Sequence, residues 1–246
     1  MNDLLFDVDF YDDEYQQFQW DVHILIEGTL DASLRYLDKQ IQTDLAEIKI
    51  ALDKSHDDEH QHHLVDEHVD VLETNSRQER FLRNMALVAL SSRLTHALRK
   101  MTKSAESFSP RRKEGYGHPR MSEYRRLWLE YTERFGIDFS ANADRINFVE
   151  TMREVRNQIV HDGAEANTFK FNDEVDWNKG VTAFLDCSFS EKYPDYVSGD
   201  NIGAEVSVSR EQLDKAVEAS VDLVSWLAKE LRARELSSIR KAKDPK

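Results

Sequence analysis

Residues 29–52 read TLDASLRYLDKQIQTDLAEIKIAL, and this stretch decides the fold class. Leu30, Leu34, Leu37, Ile41, Leu45, Ile48 and Leu52 recur at steps of three and four. That spacing stacks them along one side of an α-helix of about six turns, whereas a half-buried strand would alternate. Downstream, residues 76–105 repeat the behaviour through Phe81, Met85, Val88, Leu94, Leu98 and Met101. Two such helices bury their apolar stripes by pairing antiparallel within a bundle. Only four prolines and eight glycines punctuate 246 residues, which favours long helices throughout.

A break follows at SFSPRRKEGYGHPR, residues 107–120, where two prolines and two glycines predict a loop. The helical pattern resumes with Tyr124, Leu127, Trp128 and Tyr131 and stops near Gly136. Asn142 is placed to cap the next helix, which runs through Ile146, Val149, Met152, Val155 and Ile159 toward Gly163 as its terminating residue. The period then changes, and 181–189 (VTAFLDCSF) and 204–208 (AEVSV) read as short strands. Ser209 with Gln212 forms a capping box for a last helix through Leu213, Val217, Val221, Val224, Leu227 and Leu231. The basic tail RKAKDPK, 240–246, is expected to fray. The expectation is a mainly α protein, a helical bundle of long antiparallel helices with a small β-hairpin insertion near 165–208. Residues 1–75 are expected to be an acidic helical segment packing on a helical domain spanning 76–246.

The chain carries a net charge of −14, unevenly spread. Residues 1–70 hold 19 acidic and four basic residues, a net of −15, while 93–126 hold ten basic and three acidic, a net of +7. Such asymmetry predicts two surfaces with different partners, or an acidic segment that covers its own basic surface or a partner's as a nucleic-acid mimic. The single Cys187 cannot close an internal disulfide, so a reducing compartment is expected. The start, MNDLLFDVDFYDDEY, has acids where a secretory leader would carry lysine or arginine, and no apolar run is long enough for a bilayer. A cytoplasmic protein without a membrane partner is the expectation.

Chemistry concentrates in REVRNQIVHDG, residues 153–163. Arg156 and His161 lie five positions apart late in an amphipathic helix, with Asn157 directly after the arginine. On a regular helix that spacing separates two side chains by about 140°. They converge on one group only if the helix ends there or if a second chain supplies one of them. The pair suits RNA cleavage by the neighbouring 2′-hydroxyl. A histidine moves protons near neutral pH, and an arginine's planar fork holds the charge that builds on the phosphorus oxygens.

Arg156-Asn157-x-x-x-His161, late in a helix of an all-α chain, resembles the Arg-polar-x3-His signature of HEPN (higher eukaryotes and prokaryotes nucleotide-binding) domains. The likeness is specific over roughly residues 140–165 and does not extend to the acidic first segment or the strands. It implies a metal-independent endoribonuclease working as a homodimer, with Arg156 and His161 as the catalytic pair and Asn157 as the supporting polar residue. Toxin–antitoxin or phage-defence roles follow from it, with an RNA substrate and a cognate antitoxin or inhibitor protein as partner. No cofactor is implied. The alternative within the same resemblance is a non-catalytic nucleotide- or RNA-binding or protein-interaction module. Some family members carry a tyrosine two residues after the histidine that an antitoxin modifies; Gly163 stands there, which removes that mode of control.

Asp162 or Glu154 is the expected orienting acid. Arg111, Arg112, Lys113, Arg120, Arg125 and Arg126, with Tyr116, Tyr124 and Trp128 among them, form a candidate nucleic-acid-binding set that grips phosphates and stacks bases. The stretch HDDEHQHHLVDEH, 56–68, is rich in metal-ligand types but lacks the His-Glu-x-x-His pattern of a zinc protease, and it reads as a solvated helix face rather than a metal site. Phosphate-binding glycine loops and a nucleophile elbow are absent from the sequence.

Overall fold

The structure, a computed structural model, describes residues 10–112, 115–117, 121–161, 188–198 and 205–243. It is mainly α-helical with one small two-stranded hairpin. The elements are α1 (Phe10–His23), a π-helical turn (Ile24–Leu30), α2 (Asp31–Lys54), α3 (Asp58–Ser104), α4 (Glu123–Phe135), α5 (Ala143–His161), α6 (Ser188–Lys192), β1 (Val197–Ser198), β2 (Glu205–Val206) and α7 (Arg210–Lys243).

Two compact units share these elements, and neither is a single run of sequence. The first takes residues 1–23, 89–156 and 214–246; the second takes 24–88 and 157–213. The division expected at 75/76 falls inside α3, a continuous helix of 47 residues.

The first unit is built on an apolar face of α3, where Leu90, Leu94, Leu98 and Met101 are fully buried. Tyr131 of α4 donates its hydroxyl to the Leu98 carbonyl at 2.9 Å, and Tyr124 donates to the Ser91 carbonyl at 3.1 Å. Trp128, Tyr131, Phe139 and Trp226 form a chain of ring contacts with centroids 5.5–6.4 Å apart. The bounds of α4 follow from its terminal residues. The Ser122 hydroxyl accepts from the Arg125 amide at 3.2 Å, and Gly136 takes the left-handed conformation at φ +63° that a side chain would strain. The acids of α1 pair within this unit: Asp21 with Arg93 at 3.0 Å, Glu14 with Lys100 at 3.1 Å, and Asp12 with Arg232.

In the second unit α2 and the first half of α3 run side by side, joined by a short turn in which Gln61 donates to the Ser55 carbonyl at 2.9 Å. Leu37, Ile41 and Ile48 are buried on α2, and Leu64 on α3. The hairpin pairs Val197 with Val206 and Ser198 with Glu205, antiparallel. Three α3 side chains hold it. Asn84 donates to the Val206 carbonyl at 2.8 Å and accepts from the Val208 amide at 3.1 Å. Arg83 donates to the Val208 carbonyl at 2.9 Å, while Arg80 reaches Ser198 at 3.0 Å and pairs with Glu205. The capping box at Ser209 and Gln212 is made in both directions, at 3.1 and 2.7 Å.

Several sequence expectations need correction. Phe81 and Met85 are not core: they are 63% and 44% exposed. The inward positions of α3 here are Asn84 and Leu87, and a pattern built on apolar residues alone steps over a buried asparagine. The strand expected at 181–189 lies outside the described residues up to 187, and Ser188 and Phe189 are helical in α6. The strand expected at 204–208 is present as Glu205–Val206, paired with a two-residue strand too short for alternation to reveal. Gly163 lies outside the described residues, and Asn142 ends a 3₁₀ turn before α5. The α7 helix persists through Lys243 rather than fraying at 240.

Candidate functional site

Helix α5 starts from a bracing network. Asp138 accepts from the amide and hydroxyl of Ser140, both at 2.9 Å, and these bonds hold its carboxyl below the ordinary aspartate value. Asn142 is buried, and its side-chain oxygen accepts from Arg145 at 2.6 Å; Arg145 in turn bridges to Asp222 of α7 at 3.0 Å. Val149, Met152, Val155 and Ile159 then form the buried stripe, as their spacing predicts.

Arg156 and Asn157 follow Val155 directly and are half-buried; both hold polar interactions. His161 is the last residue of α5 and is exposed. The helix is continuous from Ala143 to His161, so the five-residue step keeps the arginine and histidine on different sides of it, about 140° apart. Glu154, one of the two expected orienting acids, is engaged by Arg153 at 2.9 Å, and Arg153 also binds Glu150 at 3.0 Å. Asp162 lies outside the described residues.

The basic stretch resolves differently from its sequence reading. Lys113 and Arg120 lie outside the described residues. Arg111 binds Glu130 at 3.1 Å, and Arg112 binds Glu133 at 2.9 Å and lies over the Tyr116 ring. Arg125 and Arg126 are exposed on the first turn of α4, and among the described residues neither forms an ion pair. Tyr116 and Tyr124 are buried, so their faces are not offered to bases, and the Trp128 indole N–H donates to Glu150 at 3.0 Å. A polar cleft of about 610 Å³ brings Arg111 and Arg126 together with Arg99 and Lys103 of α3, against Glu106, Glu123 and Glu130. Four cations thus face three carboxylates. Arg99 and Lys103 complete a cluster that the loop sequence alone does not include, although both fall in the basic stretch 93–126.

The floor of this region is an ion pair that sequence reading missed. The side chains of Arg134 and Glu130 are 1% and 2% exposed and meet at 2.6 Å. Arg134 also donates to the carbonyls of Thr102, at 2.9 Å, and Ser109, at 2.8 Å, tying the end of α3 and the loop after it to α4. Its only sequence signal is an acid four residues before a base, which also marks ordinary solvent-exposed pairs.

The histidine-rich stretch 56–68 enters α3 at Asp58, and His60, His62 and His63 are exposed on it. Among the described residues no group of three or more His, Cys, Asp or Glu side chains is placed to hold a metal ion. No described helix is long and apolar enough to cross a membrane. Compared with protein-family models, curated proteins and solved structures, the chain matches none of them. A mainly α fold with a small hairpin is the class the structure defines, and the functional reading rests on the residues themselves.

Proposed function

We propose that the chain is a metal-independent endoribonuclease of HEPN type, acting as a toxin or phage-defence effector on RNA in the cytoplasm. The observation that carries the reading is the end of α5: a half-buried Arg156–Asn157 pair followed by an exposed His161 at the last helical position. Partial burial restrains the arginine, and an exposed histidine stays open to substrate. Because one helix holds the two about 140° apart, the reading requires the motifs of two copies to meet, so that His161 of one copy works beside Arg156 of the other.

In this scheme one His161 takes the proton of the 2′-hydroxyl as its oxygen bonds to phosphorus. The bond from phosphorus to the 5′-oxygen breaks, and the leaving oxygen is protonated by the second His161. The products are a 2′,3′-cyclic phosphate and a 5′-hydroxyl, with no net redox change. Arg156 stabilises the charge on the non-bridging oxygens, and Asn157 supports the bound phosphate.

The test is cleavage of a mixed-sequence RNA by wild type, Arg156→Ala and His161→Ala in excess EDTA, with end-group analysis. Loss of about 10²-fold or more in both variants, with cyclic phosphate ends from wild type, supports the reading. Equal behaviour of all three sinks the nuclease and leaves the non-catalytic binding module.

A further inference from the structure

The α2–α3 pair of the second unit carries a long groove that the chemistry above does not use. Its wide part is a hollow of about 800 Å³ with Gly28, Tyr36, Leu37, Phe81 and Leu82 among its walls. A narrower part of about 220 Å³ continues past Asp44, Glu67 and Asp70. The two parts share Leu37, Gln40, Thr74 and Gln78, so they form one channel. Its walls pair rising α2 numbers with falling α3 numbers, and Gly28 to Asp44 spans about 24 Å at 1.5 Å per residue. That is the length of about four helical turns.

The ends of the channel differ in chemistry. At the wide end Tyr36 is 72% exposed and Phe81 63% exposed, two aromatic side chains held at the surface where water is a poor neighbour. The wide end is walled partly by the π-helical turn Ile24–Leu30, a geometry that is uncommon and concentrates at functional sites. At the narrow end Asp44, Glu67 and Asp70 stand together, and among the described residues none of their side chains takes part in an ion pair or a hydrogen bond. Residues 24–76, which carry this surface, hold 13 acidic and four basic residues, a net of −9.

This charge selects the occupant. A second copy docking through this same groove would bring the same acids against themselves, and RNA or an anionic lipid surface would be repelled. We infer that the groove is a docking site for a basic amphipathic helix of a partner protein. Such a helix would be about four turns long, with apolar anchors at one end against Tyr36 and Phe81 and Lys or Arg at the other against Asp44, Glu67 and Asp70. The mode is helix-in-groove recognition, in which apolar anchors supply affinity and charges set orientation and partner choice. Arg156 and His161 are not among the groove's lining residues, and the docking does not depend on the nuclease reading.

The probes are fluorescein-labelled helical peptides of about four turns, with leucines in one half and lysines in the other, in both orders, and the same peptides with glutamate for lysine. Anisotropy is read against the full chain, its Phe81→Ala variant and the Glu67→Lys/Asp70→Lys double variant. These positions are exposed, and thermal unfolding confirms that the variants remain folded. One lysine peptide is expected to bind, more weakly as salt rises. Phe81→Ala should weaken it about tenfold or more, the double charge reversal should do likewise, and the reversal should transfer binding to the glutamate peptide. Absence of binding by both lysine peptides overturns the proposal, as does equal binding of lysine and glutamate peptides to wild type. Concentration-dependent dimerisation abolished by Phe81→Ala also overturns it, since a second copy then fills the groove.

Discussion

Replacing Glu130 with alanine tests whether burial, rather than ion pairing itself, gives the α3–α4 junction its strength. Glu130 accepts from Arg134 at 2.6 Å and from Arg111 at 3.1 Å, and its side chain is 2% exposed. Without it the Arg134 guanidinium, 1% exposed, keeps its bonds to the Thr102 and Ser109 carbonyls but has no counter-charge. Removing one partner of a buried pair costs about 3–5 kcal/mol, because the remaining charge stays desolvated. The control lies on the same helix. Glu133 binds Arg112 at 2.9 Å, but these side chains are 42% and 58% exposed. Solvent screens that pair, and Glu133→Ala should cost about 1 kcal/mol or less. For a chain of this length each kcal/mol corresponds to about 2–4 °C, so Glu130→Ala should lower Tm by about 6–20 °C and Glu133→Ala by no more than about 4 °C. Thermal unfolding followed by tryptophan fluorescence is weighted toward the first unit, which holds three of the four tryptophans, and Trp128 and Trp226 there both contact Phe139. Equal Tm shifts for the two variants would refute the reasoning.

Asn84→Ala should remove both bonds that Asn84 makes to the β2 side of the hairpin, orphaning the Val206 carbonyl and Val208 amide at about 1–3 kcal/mol each, and hydrogen exchange at Val208 should accelerate accordingly. Burial, reinforced by the Glu130 carboxylate, holds the Tyr131 phenol well above its ordinary value. The folded chain therefore keeps that proton more tightly than the unfolded one. The associated stability is fully present below the unfolded value near 10 and is lost as pH rises above it toward the folded value. The Tyr131 share of the tyrosinate absorbance, read as the difference between wild type and Tyr131→Phe in an ultraviolet titration, should be delayed and appear together with unfolding, and its reversible appearance near 10 without unfolding would contradict this. Because His161 is exposed at a helix end, His161→Ala should leave stability within about 0.5 kcal/mol of wild type while abolishing RNA cleavage; a large loss of stability would assign the residue to structure instead.

Local periodicity and capping chemistry determined much of this molecule from the sequence alone. The stripe from Leu30 to Leu52 yields α2, Gly136 ends α4, and the Ser209–Gln212 exchange opens α7, because each depends on residues within one or two turns. That Arg156, Asn157 and His161 share one helix was legible for the same reason. Tertiary structure alone decided what depends on distant neighbours. Asn84 points inward because a hairpin more than 100 residues later meets its amide, and Phe81, the better core residue by composition, is left outside. Glu130 and Arg134 read as an ordinary surface pair until the end of α3 and the Ser109 loop close over them. The groove from Gly28 to Asp44 exists only once α3 lies antiparallel beside α2, because each helix supplies one wall: Tyr36 and Asp44 come from α2, and Phe81, Glu67 and Asp70 from α3.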